Sequence, residues 1–130
     1  MTDRIINQRI RNRIIEYLEL AASFEEQSQY QAAAPYVHIP NEIINQWEDW
    51  VHADWREYMT APTFSHDEVD AIERFHTVWD AVAADTPDPL PSLKILFGTQ
   101  QWQRLASAAA EASAVFRVRG RLSENEAAAD

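Results

Sequence analysis

Six prolines fall in three clusters, Pro35/Pro40, Pro62 and Pro87/Pro89/Pro91, and only two glycines, Gly98 and Gly120, occur in 130 residues. Proline removes a backbone donor and drives the residue before it out of helical geometry, so each cluster must interrupt a helix. Between the clusters, Ala, Glu, Gln, Arg and Leu are plentiful, which favours helix. The pattern predicts an all-α, single-domain helical bundle of about four helices, with a long N-terminal helix and a short extra helix before the last. A chain of this length buries roughly two-thirds of its unfolded surface, enough for one core without staples. There is no Cys, hence no disulfide framework.

Residues 3–33 read as the long first helix, about 45 Å if continuous. Ile5, Ile6, Arg9, Ile10, Arg13, Ile14, Tyr17, Leu20, Ala21 and Phe24 follow three-and-four spacing. Pro35 stops it, and a break near Ser23 or Gln27 is the alternative. Arg4, Arg9, Arg11 and Arg13 precede Glu16, Glu19, Glu25 and Glu26, an order that opposes the helix macrodipole. Acids elsewhere in the chain, or in a second copy, are expected to meet these arginines. Residues 35–40 read as an extended connector.

The central stretch, Asn41–Met59, holds three of the five tryptophans and alternates them with acids. With Asn41 as its cap it reads as one amphipathic helix, with Ile43, Ile44, Trp47, Val51, Trp55 and Tyr58 on one arc. Asp54 falls inside that arc. A buried carboxylate needs a partner, and Arg9 or Arg13 is the expected one. Trp50 lies at the arc's edge, and Asp49 and His52 point to water.

Ser65 and Glu68 have capping-box spacing, and Phe64 and Val69 that of a hydrophobic staple. The helix they start runs to about Ala84, with Ile72, Phe75, Trp79, Val82 and Ala83 inward. Residues 85–91 form a loop, Ser92 caps a short piece closed by Gly98, and Thr99 starts the last helix to about Val118. That helix buries Trp102, Leu105, Ala106, Ala109, Ala112, Ser113 and Phe116. Residues 1–122 are expected to form the domain, and 123–130 a flexible acidic tail.

The net charge of −10 is unevenly spread. Residues 14–91 set sixteen acids against Arg56 and Arg74, whereas residues 1–13 and 92–122 are net basic. The acidic middle repels phosphate backbones and attracts cationic surfaces. No apolar run reaches the ~18 residues of a membrane span, and no secretory h-region opens the chain. A cytoplasmic protein is the expectation, with no nucleic-acid or membrane partner.

Catalytic motifs are sparse. No phosphate-cradling glycine loop, G-x-S-x-G or H-E-x-x-H occurs. Asp49-x-x-His52 and Glu73-x-x-His76 have the spacing used by di-metal bundles, but the first pair faces away from the core. Leu93–Phe97 followed by Gln100–Arg104 has a helix-turn-helix outline, but its first helix is barely a turn. His76, with Glu73 and Asp80 one turn to either side, is the centre of an alternative reading as a helical-bundle metal protein or enzyme. The favoured expectation is a non-enzymatic, acidic protein-binding module without metal or cofactor. Its basic protein partner would be engaged through Glu48, Asp49, Trp50, Glu73 and Asp80. Small acidic helical immunity proteins, which neutralise bacterial toxins, share the size and charge, an analogy of class without a motif. A structural homodimer is the third expectation.

Overall fold

The computed structural model describes residues 3–127, and every regular element among them is helical. The elements are α1 (Asp3–Ala22), α2 (Phe24–Ala33), α3 (Ile39–Trp50), a 3-10 turn (Trp55–Glu57), α4 (His66–Asp85), α5 (Leu93–Leu96) and α6 (Gln100–Arg117). The all-helical bundle expected from the sequence is what forms, with six α-helices rather than about four. None is long and apolar enough to cross a membrane.

The helix count rises because the long first helix breaks at Ser23. Ser23 is extended, and its side chain accepts a bond from the Glu26 N–H as the cap of α2. Gln27 stabilises the break from below. Its buried amide donates to the Leu20 and Ala21 carbonyls, and its oxygen accepts the Trp102 indole N–H at 2.9 Å. Carbonyls orphaned at the end of α1 therefore find a partner without water.

The central helix also differs from the sequence expectation. It begins at Ile39, with Pro40 in its first turn, where a missing N–H costs nothing. It ends at Trp50, and the chain turns through residues 51–54 before the 3-10 turn. Trp55 and Met59 still reach the core, while Asp54 is exposed. The turn thus spares the molecule a buried carboxylate, and the expected Asp54 pairing with Arg9 or Arg13 does not form.

α6 packs between α4 and α1, and its small residues Ala109, Ala112 and Ser113 are buried along the seam. Trp47, Phe75 and Tyr17 form an aromatic cluster where α3, α4 and α1 meet, with Trp47 edge-on to Phe75 at 4.6 Å and tilted to Tyr17 at 5.4 Å. The Tyr17 hydroxyl donates to the Ile43 carbonyl, and burial pushes its pKa well above the usual tyrosine range.

The first turns of α1 contradict the apolar stripe. Ile6 is largely exposed, whereas Gln8, Arg11 and Asn12 are buried. The reason is the C-terminal segment, which crosses this face of α1. Arg11 donates to the Gly120 carbonyl and Asn12 bonds both the carbonyl and the N–H of Leu122. Gln8 donates to the Ser123 and Glu126 carbonyls. Ser123, Glu124 and Glu126 of the stretch expected to be a tail thus bond α1, and residues 128–130 of that expectation lie outside the described residues.

Candidate functional site

Two charged assemblies stand out, one internal and one open to solvent. The internal one is built on Glu68, at the third position of α4. Its carboxylate closes the capping box by accepting the Ser65 N–H at 3.0 Å, as the sequence spacing predicts. The same carboxylate receives Arg11 from α1 through Nε at 3.1 Å and Nη2 at 2.7 Å. Arg119 adds two further donors and also bonds the Pro62 and Thr63 carbonyls. Burial raises the Glu68 carboxyl, but the hydrogen bonds from Arg11, Arg119 and Ser65 outweigh it and hold the group below the usual carboxylate range. Arg11 also lies 5.2 Å over the Phe116 ring. Both carboxylate oxygens and every nitrogen of the two guanidinium groups are engaged, which suits a structural pin joining α1, α4 and the C-terminal segment.

The expected acids for the α1 arginines are thus found within the chain. Arg11 meets Glu68, and Arg13 meets Glu124 and Glu16. The buried-charge roles assigned to Arg9 and Arg13 shift accordingly. Both are only half-buried; Arg9 Nε bonds the Glu124 carbonyl, and Arg11 is the arginine that enters the core. Arg11 lies off the apolar stripe read from the sequence, so periodicity alone passes over it.

The open assembly is a groove of about 450 Å³ between the end of α3, the following turn and α4. Glu48, His52, Trp55, His76, Trp79 and Asp80 are among the residues that line it. His76 Nδ1 accepts the Trp47 indole N–H at 3.0 Å, which places the proton of the neutral ring on Nε2. Its ring stacks on Trp79 at 5.5 Å, and the Trp79 N–H is itself held by the Ile44 carbonyl. The His76 and Trp79 rings are therefore each held by a hydrogen bond to α3. Glu48 and Asp80 have no ion-pair partner among the described residues.

The five residues expected to bind a partner divide. Glu48 and Asp80 share the groove. Asp49 is exposed on α3 but does not line it. Glu73 pairs with Arg56 at 2.9 Å, and Arg56 in turn lies 4.5 Å over the Trp55 ring. Trp50 is half-buried and borders a separate crevice beside Arg13, Glu16 and Tyr17. His52, Trp55 and Trp79 join the groove without having been singled out for it, because a turn the periodicity does not reveal brings His52 and Trp55 round to α4. Concerning the metal alternative, no group of three His, Cys, Asp or Glu side chains is placed to hold an ion among the described residues. Glu73 turns to Arg56, and the bonded partner of His76 is a tryptophan.

A larger and more apolar groove, about 800 Å³, runs between the α2–α3 connector and α5, lined in part by Tyr36, Val37, Leu93, Lys94 and Phe97. Tyr36 is fully exposed beside it. No family model, curated protein or solved structure matches the chain.

Proposed function

We propose that the protein is a non-enzymatic binding module whose α3–α4 groove receives a cationic side chain from a basic protein partner. The observation that carries this reading is that two carboxylates without ion-pair partners among the described residues, Glu48 and Asp80, line one groove with the bonded rings of His76 and Trp79. An arginine entering the groove would find both carboxylates and the rings of Trp55, His76 and Trp79 in its lining. The acids on the same stretch of chain, Asp49, Asp54 and Glu57, extend the negative field and would speed encounter with a basic surface. Neutralisation of a basic toxin, as by an immunity protein, is the concrete form of this role, and the size and charge of the chain support it.

The test uses a defined probe before any partner is known. An arginine-rich peptide titrated into the protein is expected to perturb tryptophan fluorescence and the His76 ring resonances. Reversing both groove charges, Glu48→Lys with Asp80→Lys, is expected to weaken binding at least tenfold while helix content stays unchanged. Equal binding by the reversed variant would show that the peptide reads only the net charge and that the groove is not the site.

A further inference from the structure

The groove of about 800 Å³ beside α5 shares no lining residue with the α3–α4 groove. Its volume falls in the range of small-molecule sites, which are mostly apolar with a few polar groups. Ala32, Pro35, Val37, Leu93 and Phe97 supply apolar lining, and Tyr36 stands at the groove fully exposed. Val37 is 39% exposed, and Ile95, next to Lys94 on α5, is 61% exposed. Apolar side chains gathered in the open in this way are characteristic of a binding surface.

The walls are held in place by the chain's own bonds. Gln31, on α2, donates to the Ala34 and Val37 carbonyls at 3.2 and 2.7 Å, and its oxygen accepts the Ile39 N–H at 3.4 Å. One side chain thus fixes the connector between α2 and α3. His38 Nε2 donates to the Leu90 carbonyl at 3.0 Å, which ties that connector to the segment leading into α5. The Phe97 ring is stacked on Phe24 at 4.3 Å. A site whose walls are already ordered loses little conformational freedom when a ligand enters.

Charge decides which ligand fits. The chain has 21 acids, yet none lines this groove, whereas its one lysine, Lys94, does. Lys94 has no ion-pair partner among the described residues. The α3–α4 groove has the opposite balance, with Glu48 and Asp80 in its lining. A single cation on a molecule of net charge −10 suits a ligand with a single anionic head. A nucleic acid or an anionic membrane would meet the surplus of carboxylates with one lysine to hold it, where such surfaces call for several. The aliphatic stem of Lys94 adds apolar surface below its ammonium. We propose that the groove between the α2–α3 connector and α5 binds a small apolar monocarboxylate, a fatty acid in its simplest form. Its hydrocarbon body lies against Val37, Leu93 and Phe97, and its carboxylate meets the Lys94 ammonium. This site is separate from the α3–α4 groove, so failure of one proposal leaves the other standing.

A dansyl-labelled undecanoic acid, titrated into the full chain below its micelle concentration, is the probe. Saturable one-to-one binding is expected, seen as a rise in dansyl emission. Decanoate is expected to displace the probe. Decyltrimethylammonium, with the same chain and the opposite charge, is expected not to. Lys94→Met keeps the apolar stem and removes the charge, and is expected to weaken binding about fivefold, the scale of one exposed ion pair. Val37→Asp sets an acid in the lining and is expected to abolish binding. Both side chains are exposed, so helix content is expected to stay unchanged in circular dichroism. Absence of saturable binding, equal displacement by the cationic detergent, or binding indifferent to either substitution would each overturn the proposal. A dimer in sedimentation that Val37→Asp splits would also overturn it, because a second copy would then be the occupant.

Discussion

At the scale of single residues, Glu68 joins two demands that are usually met by different side chains. It caps α4 from its own third position, and it neutralises Arg11, whose side chain has no solvent exposure. A guanidinium so placed is tolerable only while its carboxylate stays ionised and fully bonded. Glu68→Gln keeps the shape but removes the charge, and is expected to cost about 3–5 kcal/mol in urea unfolding, the usual penalty for leaving one half of a buried pair. The linked pH dependence has a definite sign. The folded carboxyl lies below its ordinary value of 4.5, so its contribution is complete above that pH and is lost as pH falls through the folded pKa. Acid unfolding below pH 4.5 is therefore expected to be shallower in Glu68→Gln than in the wild type, as read by circular dichroism. Capping-box spacing makes half of this role legible in the sequence. The other half is hidden, because Arg11 and Arg119 lie 57 and 51 positions away from Glu68.

At the scale of elements, periodicity locates helices well wherever one face is apolar from end to end. The inward stripes of α4 and α6 are read correctly at Ile72, Phe75, Trp79 and Val82 in one and at Trp102, Leu105, Ala109, Ala112, Ser113 and Phe116 in the other, whereas Ala83 and Ala106 are only partly buried. Their starts at Ser65 and Thr99 are read correctly too, since each hydroxyl bonds a backbone N–H three residues on. It fails where polar side chains decide the path. Nothing in the spacing around Ser23 marks the kink more strongly than a continuous helix, because the decisive partner, Gln27, is satisfied by Trp102 from the other end of the chain. Gln27→Leu is expected to strand the Trp102 N–H and the Ala21 carbonyl, at a cost of about 1–3 kcal/mol for the buried group left unmet. Ser23→Ala, which removes only the exposed cap bond, is expected to cost about 1 kcal/mol. Thermal unfolding of the two variants tests the ranking, and a larger loss in Ser23→Ala would mean that the break does not depend on Gln27. The candidate groove was half legible for the same reason: Glu48 and Asp80 stand on helices, whereas His52 and Trp55 are delivered by a turn.

At the scale of the whole molecule, the two basic ends are drawn onto α1, and the acidic middle keeps its surplus. Arg119 and Arg121 reach Glu68, Glu16 and Glu19, and Glu124 returns to Arg13. These contacts, with that of Arg11 to Glu68, spend positive charge of the two basic ends on α1 and the start of α4, and the acids of α3 and the turn after it keep a negative surplus on a molecule of net charge −10. Like charges gathered on one side raise the energy of the free protein and lower that of a complex with a basic surface. Ionic strength separates this field from the packed core. Exposed charges farther apart than about 10 Å are largely screened at 0.1 M salt, whereas burial of Trp47, Phe75 and Trp102 is not. Raising salt from about 0.05 to 0.5 M, a range over which the screening length falls severalfold, is expected to slow association with the arginine-rich peptide by tenfold or more. The dissociation rate, set by contacts within the groove, is expected to change much less. Stopped-flow tryptophan fluorescence measures both. An association rate that does not respond to salt would remove the electrostatic argument for a basic partner, since the surplus of carboxylates around α3 would then have no part in the encounter.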